Sequence, residues 1–375
     1  MLAADTPRRS SKLQLIESFR GIAALLVLLF HTEMTVAKPQ YFGSDPLHRL
    51  FVFGSHGVDF FFVLSGFIIT YAHWADLGRL DRVGPYLRKR FLRIYPPLWA
   101  FAIPLILVDY SAHMDITPAT MSGKVAVALC SLFLIPSHLP NIPVVIWTLK
   151  HEITFYLLFV AVLVRPIFGA WLFAVWAGAC VFDLFESPRH DNFSGFFFSP
   201  YNLEFLAGIC CAWLTRKFRV RLPTLMLLAG LGVFSWATFI ADHWVMFHPL
   251  DSADQGENSG QLIALFAIAS TLLILGAARL DIDARLNAVS KSRPPDFLLA
   301  LGAASYSIYL VHAPVVTACC RVLRLLNAHV AIAPLLAMIL AAIVALIAGL
   351  VFHRLVEQPL VAALSARTVP RTHAR

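Results

Sequence analysis

Charge is what this sequence has least of. Asp, Glu, Lys and Arg make up 14% of its 375 residues, against about a quarter in a soluble globular domain, too few to clothe a chain of this size in a water-facing surface. Cysteine is also sparse. The six, at 130, 180, 210, 211, 319 and 320, fall in or beside apolar stretches with no Cys-x-x-Cys spacing, which argues against both a disulfide framework and a zinc site. The sequence has no glycine-rich phosphate loop, no Gly-x-Ser-x-Gly elbow, no His-Glu-x-x-His and no aspartate-rich metal motif. Kinase, simple hydrolase and metalloenzyme readings lose their support. Internal repeats, low-complexity segments and heptads are missing as well, and so is room for a soluble catalytic domain.

What is present is hydrocarbon: 59% hydrophobic residues with 30 Phe, and a mean hydropathy of +0.73. This composition specifies an all-α integral membrane protein. The net charge of +8 could suit nucleic acid, but the basic residues sit in short clusters between apolar runs, the pattern of loops held on the cytoplasmic side. Nucleic acid is therefore not an expected partner.

About ten runs are long enough to span: 14 to 36, 50 to 73, 91 to 109, 145 to 164, 166 to 184, 200 to 215, 222 to 241, 260 to 279, 297 to 320 and 331 to 355. An eleventh, 124 to 136, is short and reads as re-entrant or interfacial. With it treated so, both termini are cytoplasmic and the basic clusters Arg8 to Lys12, Arg79 to Arg93, Arg216 to Arg221 and Arg279 to Arg293 share that side. The expected organisation is a basic tail at 1–13, a transmembrane domain at 14–360 and a second basic tail at 361–375. The first run is broken by Glu17 and Arg20 and lacks a small-residue cleavage site, so it reads as a retained span.

Polar residues inside such runs are expensive and are functional candidates. In the first span Glu17, Arg20 and His31 share one face, the last two only about 20° apart around the axis and about 16 Å apart along it. In the second, Asp59 enters at the outer end and needs a partner, with Gly66 and Thr70 on its face. Arg90 and Arg93 are neighbours at i and i+3 before the third run, a fork geometry suited to phosphate. The fourth span places Thr148, Glu152 and Tyr156 on one face behind an interfacial Trp147. The ninth carries Ser305, Tyr309 and His312 at i, i+4 and i+7, with His312 near the depth of His31. Two histidines could thus meet in one outer-half cavity, with Glu152 or Asp59 orienting His31 as a general base. On the residues alone, a proton-coupled secondary transporter of a sugar or lipid intermediate, with His31, Glu152 and His312 as relay, is the alternative.

The blocks Arg20…His31, Gly57-Val-Asp-Phe-Phe-Phe-Val-Leu-Ser-Gly-Phe67, Arg90-x-x-Arg93, Trp147…Glu152…Phe155-Tyr156, Ser305 to His312 and Glu357-Gln-Pro359, in this order, resemble the membrane-bound acyltransferase family three of bacteria. The resemblance covers about Leu15 to Leu360. It implies a multi-pass protein of the bacterial cytoplasmic (inner) membrane. That protein moves an acyl group, commonly acetyl, from cytoplasmic acyl-CoA to a hydroxyl of an outer-side glycan or lipid-linked sugar, with no metal. Carried onto this chain, it implies His31, Glu152, Asp59 and His312 at the catalytic centre and Arg20, Arg90, Arg93, Ser305 and Tyr309 around the donor. Glu17 stands where the family commonly has aspartate, and Thr148-Leu149-Lys150-His151 where Ser-Leu-Ser-Val is usual.

Overall fold

The computed structural model describes residues 13–111, 120–185, 193–247, 260–287, 294–327 and 330–366. Among these residues every regular element is helical. In chain order they are α1 (Gln14–Val36), α2 (Gly57–Ala72), α3 (Val83–Ser111), α4 (Met121–Leu132), α5 (Ile146–Val164), α6 (Pro166–Phe185), α7 (Phe193–Phe197), α8 (Tyr201–Lys217), α9 (Pro223–Phe247), α10 (Gly260–Asn287), α11 (Asp296–Ala303), α12 (Ser305–Asn327), α13 (Pro334–Phe352) and α14 (Gln358–Ala366). A π-helical turn, His353–Glu357, joins the last two. In hydrocarbon the backbone has no water to bond to, so only helices or closed barrels satisfy it, and the described residues use helices. This is an all-α, multi-pass membrane protein.

Eight helical stretches of the described residues are long and apolar enough to cross a membrane. The runs at 166 to 184 and 200 to 215 do form helices, α6 and α8, but neither is among the eight. For α8 the reasons are its length of 17 residues and the charged Glu204, Arg216 and Lys217 within it. The run at 297 to 320 is not one helix: it breaks at Ala304 between α11 and α12. The short run at 124 to 136 forms α4, of 12 residues. Both basic tails lie largely outside the described residues.

Small residues let two helix pairs around the site touch backbone to backbone, the usual way to hold helices together where lipid offers no hydrophobic drive. A Cβ on Gly66 would overlap the Phe205 carbonyl, and one on Gly208 the Val63 carbonyl, so α2 and α8 cross in direct contact. A Cβ on Gly302 would overlap the Glu17 carbonyl, which seats α11 against α1. The start of α1 is fixed from α10, where the Asp281 carboxylate accepts from Leu15 N at 3.1 and 3.0 Å and from Ile16 N at 3.4 Å. A carboxylate there satisfies orphan amides and suits the positive end of the helix. Together these contacts set the rotation of α1, and hence where Glu17 and Arg20 point.

Candidate active site

A cavity of about 660 Å³ lies between α1, α2, α3, α5, α12 and the π-turn. Six of the nine sequence-predicted site residues line it: Arg20, Arg90, Arg93, Glu152, Ser305 and Tyr309. Its charges are sorted in an uneven way. Arg20 Nη1 pairs with Glu17 Oε2 at 3.3 Å, and its Nη2 donates to Ser305 Oγ at 2.9 Å. Glu152 Oε1 accepts from Ser65 Oγ at 3.1 Å and from the Tyr156 hydroxyl. Glu357 Oε2 accepts from Ser307 Oγ at 2.5 Å and from His353 Nδ1 at 2.7 Å. Each carboxylate is thus supplied with donors that leave Arg90 and Arg93 free of it. Arg90 lies over the Tyr86 and Tyr156 rings at 5.8 and 5.5 Å, and its buried Nε has no partner among the described residues. Arg93 is within electrostatic reach of Tyr156, Glu152, Glu357 and Glu17 without a hydrogen bond to them. Two cations with unspent donors in a partly apolar cavity could hold an anion.

His31 and His312 do not line this cavity; they meet each other beyond it. His312 Nε2 lies 3.2 Å from His31 Nδ1, with the ring centroids 4.8 Å apart. The backbone decides their tautomers. His312 Nδ1 faces the Tyr309 carbonyl at 2.7 Å and the Ile308 carbonyl at 3.2 Å, and since carbonyls only accept, this nitrogen carries the proton. Its Nε2 is then an acceptor in the neutral ring. His31 Nδ1 faces the Val27 carbonyl at 2.9 Å as well as His312 Nε2; two acceptors around one nitrogen require a proton there too. What remains on His31 is Nε2 with its lone pair free, the form a base or nucleophile needs.

Tyr309 joins the two regions. Its ring lines the cavity and lies 5.7 Å from that of His312. Its carbonyl fixes His312 Nδ1, and its hydroxyl bonds the Val145 carbonyl at 3.1 Å and Thr148 Oγ1 at 2.8 Å.

The expected contact of Glu152 or Asp59 with His31 is not formed. The cause lies in where the helices start. α5 begins beside Tyr309, so Glu152 falls at the level of Ser65 and the arginines rather than near His31. The start of α2 rests on the middle of α1, where Gly57 backs onto the Ala23 carbonyl. Asp59 there pairs with His56 Nδ1 at 3.2 Å and faces Glu204 of α8. Trp147, read as an interfacial anchor, packs edge-on to Phe62 at 6.2 Å and beside Tyr201 at 5.3 Å. Two residues of the site region, His353 and Ser307, escaped the sequence reading, as did Glu204 of α8 outside it. For Glu204 a signal existed, an acid inside an apolar run.

Comparison with known proteins follows the same lines. A profile described as an acyltransferase domain matches residues 14–354. The chain is 30% identical over 278 residues to the exopolysaccharide production protein ExoZ of Rhizobium meliloti, covering 70% of this chain and 76% of that one. It is 28% identical over 401 residues to the acyltransferase MdmB of Streptomyces mycarofaciens, covering 96% and 95%. With the peptidoglycan O-acetyltransferase OatA of Listeria monocytogenes it shares 26% identity over 174 residues, 42% of this chain and 25% of that protein. No solved structure matches.

Proposed function

The chain belongs to the acyltransferase domain family, and from that premise we propose that it transfers an acyl group from a coenzyme A thioester to a hydroxyl of a glycan or lipid-linked sugar. Acetyl is the group proposed, and the outer side of the bacterial cytoplasmic membrane is the place of delivery. Relatives named for exopolysaccharide production and for peptidoglycan O-acetylation support a sugar acceptor. The transporter alternative has no comparable support.

The observation that carries the reading is the pairing of two compartments: a cavity with two uncommitted arginines, and beyond its Tyr309 wall a histidine pair that leaves His31 Nε2 unprotonated. In the proposed reaction Arg90 and Arg93, with Arg20 beside them, hold the donor's phosphates. The acyl-bearing arm extends past Tyr309. His31 Nε2 takes the acceptor hydroxyl's proton as its oxygen attacks the thioester carbonyl, and the imidazolium then protonates the leaving thiolate. His312 accepts from His31 Nδ1–H and so stabilises the imidazolium, the part a carboxylate plays in a catalytic triad. In a carrier version, His31 Nε2 itself attacks the thioester carbonyl and expels the thiolate; the acceptor oxygen then attacks the acyl-imidazole, and its proton ends on the thiolate as His31 is regenerated neutral.

The decisive test is purified protein in lipid nanodiscs with radiolabelled acetyl-CoA and a glycan acceptor. Thiol release and label on the glycan are expected without any ion gradient. Loss of about 10² to 10⁴ in rate is expected for His31→Ala, the usual cost of removing a general base. Full transfer by His31→Ala would refute both versions. An acyl group trapped on His31 after rapid quenching separates the carrier version from the direct one.

A further inference from the structure

Helix α8 buries an acid for which the transfer reaction has no use. Glu204 is 0% exposed, and neither of its carboxyl oxygens has a hydrogen-bond partner. Asp59 of α2 lies within side-chain hydrogen-bonding reach of it. Asp59 is itself buried, its Oδ1 likewise unpartnered and its Oδ2 accepting from His56 Nδ1. His56 is held in turn, stacked on Phe266 of α10 at 3.5 Å and 13°. Asp59, and His56 through it, are the ionisable groups that act on Glu204 among the described residues.

Two ionised carboxylates offer each other only lone pairs. Facing one another in an apolar helix crossing, they would repel and also forfeit their hydration. One proton removes both penalties: the protonated member donates to its neighbour, and like charges at one site are known to share a proton in this way. His56 bonds Asp59 and not Glu204, which assigns the charge to Asp59 and the proton to Glu204.

The location gives this pair a task. The α2–α8 crossing at Gly66 and Gly208 has no slack, so the acid pair acts on a helix that cannot slide. On that same helix Phe61, Phe62 and Ser65 wall the arginine cavity, and Ser65 donates to Glu152. We propose that Asp59 and Glu204 share a single proton, with His56 fixing the charged partner. The resulting carboxyl–carboxylate pair is a positioning element that sets α2, and with it the Ser65–Glu152 contact, against α8.

Two measurements on the full chain in nanodiscs test this. Infrared spectroscopy of the wild type should show the carbonyl stretch of a protonated carboxylic acid, sensitive to deuterium and absent from Glu204→Gln. Spectra with carboxylate bands alone, as a bound cation or bare ionised pair would give, overturn the proton assignment. This arm uses no substrate, so its failure is distinct from failure of the acyl-transfer reading. In the second, Glu204→Gln, whose amide still donates to Asp59, keeps acetyl-CoA turnover within about threefold of wild type, whereas Glu204→Ala loses at least about tenfold. Equal losses in the two variants, with both still folded by thermal melting, overturn the positioning role.

Discussion

Replacing His312 separates the proposed site from a merely polar helix contact. His312 is fully buried, and through Nε2 it accepts from His31 Nδ1–H at 3.2 Å. As His31 takes a proton this becomes a hydrogen bond from a cation, worth about 1.5 to 3 kcal/mol. At 1.36 kcal/mol per decade, His312→Ala should lower kcat by about 10- to 150-fold. The loss stops short of that for His31→Ala because the Val27 carbonyl, 2.9 Å from the same nitrogen, still fixes the tautomer. Because His312 does not line the arginine cavity, KM for acetyl-CoA should stay within about twofold of wild type, the signature of an interaction made in the transition state. The assay is thiol release at saturating acceptor over a range of donor concentrations. Thermal melting establishes that the variant folds, and His312→Gln, nearer in volume, serves as a second probe. Unchanged kcat in both variants, or a raised KM at unchanged kcat, would refute the assignment.

Arg90→Ala and Arg93→Ala should each raise the donor KM by about 10- to 150-fold with little change in folding, since neither guanidinium forms an ion pair among the described residues; Arg93→Lys should recover only part of the loss, because an ammonium does not reproduce the fork. Binding of acetyl-CoA measured by calorimetry checks both. Gly208→Ala should cost about 1 to 3 kcal/mol through overpacking against the Val63 carbonyl, seen as a lower melting temperature in nanodiscs. Asp281→Ala, which strips the carboxylate from the Leu15 and Ile16 amides, should cost about 0.5 to 2 kcal/mol. Its turnover at low temperature should stay close to wild type, with a lower melting point.

The sequence makes legible what depends on periodicity and little of what depends on depth. The faces of α1 and α12 follow from helical spacing, which is why His31 meets His312 as their stripes suggest; the Arg20–Ser305 contact on the same pair of helices is not foreseen there. The i, i+3 spacing of Arg90 and Arg93 likewise delivers both into one cavity. Depth is another matter. An apolar run announces its length but not the level at which its helix begins, and α2 and α5 both start well inside the protein, against Ala23 and Tyr309. That shift moves Glu152 to the arginines and Asp59 to α8. Glu204 stayed hidden because a single acid amid Phe, Leu and Ala barely perturbs hydropathy, and its partner lies on a helix remote in sequence. The break at Ala304 and the π-turn at His353–Glu357 leave no local pattern that marks them.

Tyr309 has a consequence for time as well as space. Its hydroxyl is latched to Val145 and Thr148 at the head of α5 while its ring stands between the arginine cavity and the histidines. The arrangement is that of an airlock. In the proposed reaction, Tyr309 would screen a thioester held by the arginines from the histidine side, where the acceptor and water would arrive. For the proposed transfer, one latched side chain would keep donor and acceptor apart until they are due to meet.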